Sequence, residues 1–282
     1  GNKTEKVFNQ VSVLYGVNTF GAVFGCLFTQ FFAIRLWGVQ GATWFAIALN
    51  VVVFMLCYGK ARIFYVEDSS PVKAETKKRE KQQDTGVSPA IGILVFSMFA
   101  YSGMVSLSSE ILWTRILVFP MGSTLYSFAL ILATFLLGIA SGSLTANKLL
   151  GHSHRVLKFI GIEIAIGVFC IAILPVLANL TEWTSLADHY FYSLDSSPEK
   201  IILIRSLFAF ALMFLPTFGF GLLFPLANHI YSYRFDGVGK ILGNTYSINT
   251  VGAVLGTILT PFVFIPLWGI RLSLYGIYAV LI

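Results

Sequence analysis

The feature that most restricts the fold of this chain is a series of long apolar runs. Eight runs carry few charges, at 11–34, 41–58, 89–112, 122–145, 157–178, 201–230, 241–266 and 270–282. About 20 apolar residues in a helix cross a bilayer core about 30 Å thick. Only 11% of all residues are charged, whereas soluble domains have about 25%. The sequence therefore predicts an all-α integral membrane protein with about eight transmembrane helices, and it excludes disorder and a fibrous repeat.

The Lys and Arg residues between the runs predict the orientation of the chain. With the N-terminus inside, fourteen of them fall on the inner side and four on the outer side. Positive charges next to membrane spans stay mainly on the cytoplasmic side. We therefore expect the N-terminus of this chain in the cytoplasm, and the count fits a bacterial inner membrane. The net charge of +6 is distributed unequally across the bilayer in this orientation, so it does not indicate nucleic-acid binding.

Two stretches of the sequence repeat one another at a distance of 231 residues. Residues 15–51 align with residues 246–282, and fourteen of the 37 positions are identical. Both copies begin with Tyr-x-x-Asn-Thr-x-Gly and later contain Leu-Trp-Gly. Because the offset spans six helices, both copies cross the membrane in the same direction, which predicts a parallel six-helix repeat. The expected architecture has two six-helix halves, with four helices missing before Gly1.

The repeat divides the chain into three parts. Residues 1–58 are interpreted as the last two helices of the first half, and residues 89–282 as the second half with a truncated last helix. Residues 59–88 are rich in Lys, Arg, Glu and Gln. A stretch with so little apolar content does not form a core, so we predict a charged cytoplasmic linker. It is too short to be a catalytic domain.

Several segments of the second half resemble a known family. They are Ser109–Arg115, Gly122–Tyr126, Phe135–Ser143, Leu215–Leu226 and Gly243–Gly256. In this order they resemble the membrane region of spermidine-synthase-like proteins, bacterial relatives of the polyamine aminopropyltransferases. The loop Gly142–Arg155 is similar to the glycine-and-basic loop of major facilitator transporters. Together these resemblances imply a major-facilitator-like arrangement of two halves.

The resemblance implies no enzyme activity for this chain. In that family a soluble aminopropyltransferase domain follows the last span and carries a glycine-rich cofactor loop and catalytic acids. No segment here resembles that domain, and no Ser–His–Asp or Cys–His arrangement suggests a nucleophile. We therefore expect no catalytic residue and no cofactor, although a parent protein could carry such a domain after Ile282.

Polar residues within the spans are the candidates for a binding site. Glu110 and Trp113 are three residues apart in the third span, so a carboxylate and an indole share one helix face. This pair suits an organic cation through charge attraction and cation–π contact. Arg205 lies in the sixth span near the same outer side. The leading interpretation is that Glu110 pairs with Arg115 or Arg205, because an unpaired charge within a membrane is costly, and contact with a solute is the alternative.

Asn18 and Asn249 are equivalent residues of the two repeat copies. Each is followed by Gly-x-x-x-Gly, at Gly21 and Gly25 in the first copy, and small residues let helices approach closely. Helix packing is therefore the leading interpretation. In the alternative interpretation both amides line a cavity between the two halves.

The remaining ionisable and metal-binding side chains receive structural interpretations. We expect Glu163 near the inner end of the fifth span, where the helix N-terminus and the membrane interface favour it, with a proton relay as the alternative. His152 and His154 are expected in a solvated inner loop, because further metal ligands are missing nearby. The three cysteines lie in apolar runs and are expected to act as small apolar residues. No metal site is predicted.

Two functional hypotheses follow. In the first, the chain binds or passes a small solute such as a polyamine between the two halves, and Glu110, Trp113, Arg205, Asn18 and Asn249 line the site. In the second, it is a structural membrane subunit or an anchor for a soluble enzyme or a larger complex. The expected partners are the lipid bilayer, a small cationic solute, and partner subunits or a fused soluble domain, but no nucleic acid.

Overall fold

The protein is helical throughout the part that the structure, a computed structural model, describes. This part comprises residues 2–67, 89–121, 125–150, 154–180, 182–183, 185–186, 189, 198–231 and 238–282. The helices are α1 (Asn2–Phe28), α2 (Ile34–Glu67), α3 (Pro89–Met121), α4 (Leu125–Leu150), α5 (Arg155–Ala172), α6 (Leu174–Ala178), α7 (Pro198–Tyr231), α8 (Val238–Leu259) and α9 (Ile265–Ala279). Two short π-helical segments, π1 (Thr29–Ala33) and π2 (Thr260–Phe264), connect α1 to α2 and α8 to α9.

In the part of the chain that the structure describes, six helical segments are long and apolar enough to cross a membrane. They are Gln10–Gly59, Gly92–Val118, Leu125–Ala146, Arg155–Ala178, Arg205–Tyr231 and Gly239–Ala279. The prediction of an all-helical chain with membrane-length helices is confirmed. The number differs from the predicted eight because the first and last segments, with 50 and 41 residues, each join two of the apolar runs into one helical stretch.

A glycine interrupts each of these two long stretches. Gly38 has φ 68° and ψ 178°, and Gly269 has φ 69° and ψ 173°. A residue with a Cβ is strained in this conformation, so glycine is the residue that fits here. The rings of Phe28 and Phe45 lie 5.8 Å apart, which shows that the chain folds back at Gly38. A straight helix would separate these two residues by about 25 Å.

The chain folds back at Gly269 in the same way. Thr260 donates a hydrogen bond of 2.8 Å to the Ser108 hydroxyl, and Tyr278 donates one of 2.9 Å to the Ser109 hydroxyl. Ser108 and Ser109 are neighbours on α3, so Thr260 and Tyr278 lie at the same level of that helix. Thr260 and Tyr278 stand on opposite sides of Gly269 in the sequence, so the two helical arms of this hairpin run antiparallel.

The two copies of the sequence repeat thus have the same local structure. The π segments begin at Thr29 and Thr260, and the glycine breaks follow at Gly38 and Gly269, in each case at the offset of 231 residues. Similar local sequence therefore forms the same helix, π segment and turn in both copies. The larger arrangement of two six-helix halves stays a prediction.

The chain forms two compact units, one of Gly1–Leu27 with Val87–Ile282 and one of Phe28–Gly86. In the smaller unit, ring contacts of Phe45 with Phe28 and with Trp37, the latter at 5.1 Å, hold the helical hairpin together. Part of the predicted linker 59–88 is helical, since α2 continues to Glu67. The rest of that linker lies outside the described residues.

The core of the larger unit is built where helices approach closely. On α8, Gly252 and Gly256 face the backbone carbonyls of Ala100 and Met104 on α3, and there is no space for a Cβ. On α4, Gly142 likewise faces the backbone of α7. Such contacts between small residues are a common way for helices to associate within a membrane. α7 is buried continuously from Gly219 to Tyr231 and therefore lies at the centre of this unit.

Candidate functional site

Trp113 belongs to a hydrogen-bond network within the larger unit. Its side chain is 2% exposed, and its indole N–H donates a bond of 2.9 Å to the Tyr278 hydroxyl. Tyr278 donates to Ser109, and Ser109 donates to the carbonyl oxygen of Val105 at 2.6 Å. Every member of this network has a protein partner, so the network joins α9 to α3.

A small cavity adjoins this network between α3, α4, α7 and α9. Its lining residues are Ser109, Trp113, Phe135, Met213, Pro216, Thr217, Phe220 and Tyr278. The lining is apolar, and the space is on the scale of one water molecule. In this conformation the cavity has no room for an organic cation beside Trp113.

Glu110 is half-buried on α3, next to the network in sequence. Thr114 donates a hydrogen bond of 2.7 Å to its backbone carbonyl oxygen. Within the described residues no cation pairs with its carboxyl group, so the ion pair with Arg115 or Arg205 is not seen. Arg115 is exposed, whereas Arg205 is half-buried and has its own interactions. Glu110 is therefore a half-buried carboxyl group that forms no ion pair within the described residues.

The two copies of the repeat meet at one aromatic ring. Tyr15 on α1 and Tyr246 on α8 are equivalent residues of the repeat, and both contact Phe224 on α7. Tyr15 stacks on Phe224 with ring centroids 4.5 Å apart, and Tyr246 meets it edge-on at 6.4 Å and 88°. Phe224 therefore lies between equivalent positions of the two copies.

Asn18 and Asn249 lie one turn beyond these tyrosines. Each amide follows its tyrosine by three residues, so each pair shares one helix face. Asn18 is exposed, and Asn249 is half-buried beside Gly103 of α3. We call Tyr15, Phe224 and Tyr246 the aromatic junction. The side-chain oxygen of Asn249 packs against Gly103 of α3, as the helix-packing interpretation expects. Sequence reasoning selected the two amides but missed the rings, although the identity of Tyr15 and Tyr246 in the repeat was a visible signal.

The aromatic junction has the chemistry of a site for an organic cation. Aromatic faces attract cations, and tyrosine hydroxyl oxygens accept hydrogen bonds from ammonium groups. Tyr246 is 58% exposed, so part of the junction is accessible. None of its three residues is acidic, so any attraction of a cation there comes from ring faces and hydroxyl dipoles.

Glu163 lies inside the helical bundle, and the prediction that it reaches the membrane interface is wrong. Its side chain is 1% exposed, and neither carboxyl oxygen has a hydrogen-bond partner in the described part of the chain. The reason is its helix face: Phe159, Ile166 and Cys170 share that face of α5, and all three are buried. This apolar periodicity was the signal in the sequence that places Glu163 inward.

Metal binding finds no support in the described ranges. They contain no group of three or more His, Cys, Asp and Glu side chains that could hold a metal ion. His154 is exposed just before α5, and His152 lies outside the described residues.

Comparison with known proteins finds no relative. No family model, no curated protein and no solved structure matches the chain. Functional inference therefore rests on the residues themselves.

Proposed function

We propose that this chain is the membrane domain of a spermidine-synthase-like protein, and that it binds or passes a small organic cation such as a polyamine at the aromatic junction. The observation that carries the proposal is the meeting of Tyr15 and Tyr246 at Phe224. Transporters with parallel repeats bind solutes where the repeats meet. Here two equivalent residues, one from each repeat copy, contact the same ring, as expected of such a site.

The proposed setting is a bacterial inner membrane that the chain crosses about eight times, starting in the cytoplasm. The 50 residues of Gln10–Gly59 would form a straight helix about 75 Å long, more than twice the thickness of a bilayer core. The turns at Gly38 and Gly269 let each long stretch cross twice. The equivalent turn in each repeat copy is compatible with the proposed major-facilitator-like arrangement of two halves.

The chemistry of the aromatic junction favours a flexible amine. The alkyl segments of a polyamine would pack on the rings, and its ammonium groups would lie against ring faces and the exposed amide of Asn18, one helical turn from Tyr15. Glu110 is a candidate for a further contact because its half-buried carboxyl has no cation partner in the described residues. Trp113 acts within its own hydrogen-bond network instead.

Binding of spermidine to the purified chain in lipid nanodiscs tests the proposal. Calorimetric titration should show binding to the wild-type protein and weaker binding to Tyr15→Ala and Tyr246→Ala, with the phenylalanine variants close to wild type. Tyr58→Ala is the matched control, since Tyr58 is exposed on α2. Unchanged spermidine binding in a folded Tyr15→Ala/Tyr246→Ala double variant would contradict the proposal.

A second candidate function is that of a structural subunit or anchor. It is favoured by the apolar surface of α2, where all residues of 51–59 are exposed. Such a surface suits either lipid or the helices of a partner. A stable co-purifying partner, together with the absence of spermidine binding, would favour this function over solute binding.

A further inference from the structure

Glu163 is enclosed by three neighbouring helices. The ring of Phe159, one turn before it, lies 6.2 Å from the ring of Phe99 on α3. Gly219 of α7 faces the side chains of Ile162 and Ile166, which flank Glu163 in the sequence. One turn after it, Gly167 approaches the backbone of α9. The carboxyl group therefore lies in the interior, about 12 Å along the axis from the first residue of α5.

The polar groups around Glu163 leave its carboxyl without a hydrogen bond. Tyr101 and Ser102 of α3 are close enough to interact with its charge. The Tyr101 hydroxyl, however, donates to the carbonyl oxygen of Ile277 at 2.7 Å. The Ser102 hydroxyl is near the carboxyl but does not have hydrogen-bond geometry. Both oxygens of this carboxyl are therefore unsatisfied within the described residues.

Within the described residues, no Lys or Arg on the neighbouring helices neutralises this group. The ionisable side chains of α3 and α9 that lie toward α5 are Tyr101 and Tyr278, and α5 itself adds Cys170. α7 carries no ionisable side chain between Ser206 and Asn228. Arg155 and Lys158 lie toward the inner end of α5 and have other interactions.

A charged carboxylate in this place costs much more free energy than a neutral carboxylic acid. A charge moved out of water without hydrogen bonds or a counter-ion costs several kcal/mol or more, and ionisable residues within membranes commonly mark proton pathways. Among the described residues the charged form has no counter-ion, and the Ser102 hydroxyl is the one nearby donor, without a formed hydrogen bond. A bound proton lowers the cost of burial while the helices stay packed.

We propose that Glu163 is a proton-binding site that is loaded when the bundle is closed and released when it opens. On opening, the carboxyl O–H bond breaks, the proton passes to water, and the carboxylate keeps the electron pair. α7 is the element that can move, because Pro216 removes a backbone hydrogen bond close to the contact at Gly219. The proton site itself does not depend on the identity of the solute.

Infrared spectroscopy of the protein in nanodiscs tests the site without any solute. The wild-type protein should show the C=O stretching band of a protonated carboxylic acid, and this band should fade as pH rises. Glu163→Gln, which keeps the shape of the neutral acid, should lack the band. Glu110→Gln is the matched control and should retain it. A band that persists in Glu163→Gln, or that does not change with pH in the folded protein, would overturn the proposal.

Carbodiimide labelling adds a measurement that needs no variant. Carbodiimides attack protonated carboxyl groups in apolar surroundings, and mass spectrometry locates the adduct. We expect an adduct on Glu163 at low pH and progressively less of it at higher pH. Labelling of Glu110 alone at every pH would count against a proton on Glu163.

A transport assay connects this site with the proposed function, on which this last experiment rests. Uptake of spermidine into proteoliposomes should respond to an imposed pH gradient in the wild-type protein. In Glu163→Gln the response should be lost, whereas spermidine binding should remain. A full response in Glu163→Gln would overturn the coupling role of Glu163. Absence of spermidine binding to the wild-type protein would instead overturn the proposed function and leave the infrared result to decide on the proton site.

Discussion

The helices α1 and α8 contain the same motif but use it differently. In α8, Gly252 and Gly256 lie against backbone carbonyls of α3. In α1, the equivalent Gly21 and Gly25 have no atom within reach of a Cβ. α1 packs at another place, where Gly16 meets the Leu144 side chain of α4. The comparison shows that a small-residue motif permits close packing, whereas the neighbouring helix determines whether packing occurs.

Substitution of the glycines should show the largest difference between the two copies. In Gly252→Leu the new side chain would overlap the carbonyl of Ala100, and because backbone atoms cannot rotate away, the free energy of unfolding should fall by about 3 kcal/mol or more. In Gly21→Leu it should change by less than about 0.5 kcal/mol. Denaturant titration of both variants in detergent measures the difference. Equal losses would break the comparison.

The glycine turns should instead behave alike in both copies. Gly38→Ala and Gly269→Ala each place a Cβ on a backbone with φ near 68°, and both should lower the free energy of unfolding by about 1–3 kcal/mol. Neither position has a neighbouring atom within 4 Å, so the cost is conformational in both. The same titration checks this result. A loss in only one copy would show that the conformation of the turn depends on tertiary contacts.

Tyr15 and Tyr246 should contribute similarly to cation binding. Removing either ring by substitution with alanine should weaken spermidine binding about 5-fold, because one cation–π contact is worth about 1 kcal/mol. Tyr15→Ala should in addition lower thermal stability, since its ring stacks on Phe224. Calorimetric titration and thermal melting separate the two effects. A loss of affinity in Tyr15→Ala alone would mean that the copies do not share the site.

The π segments should give the smallest difference. Thr260 is fully buried and donates to Ser108, whereas the equivalent Thr29 is exposed. Thr260→Val should lower the free energy of unfolding by about 0.6 kcal/mol, the average value of such hydrogen bonds between membrane helices. Thr29→Val should leave it unchanged. A matched pair of unfolding curves measures both, and a larger loss in Thr29→Val would contradict the assignment of Thr260 as the packed copy.

Much of the helical structure was predictable from the sequence because it depends on local composition. The apolar runs predicted membrane-length helices, and the repeat predicted equivalent residues in two places. The joining of two runs across Gly38 and Gly269 was missed, since periodicity does not reveal how sharply a helix turns. Glu163 was misplaced because the cost of its charge suggested the interface, whereas the apolar residues on its helix face bury it.

The candidate site was only partly predictable. Asn18 and Asn249 were identified from the repeat, but the contact of Tyr15 and Tyr246 with Phe224 joins residues that are far apart in the sequence. Trp113 was expected to face a solute, and only the partner hydroxyl of Tyr278 shows that it has a structural hydrogen bond. Contacts of this kind depend on which helices are neighbours.

The sequence by itself determined the helical class, the membrane-length segments and the equivalence of the two repeat copies, because these follow from apolar composition and local backbone preferences. The tertiary structure alone decided that one copy packs against α3 while the other leaves its glycines uncovered, that two tyrosines share Phe224, and that Glu163 is enclosed without a partner. The physical reason is that burial and hydrogen bonding depend on atoms supplied by distant parts of the chain.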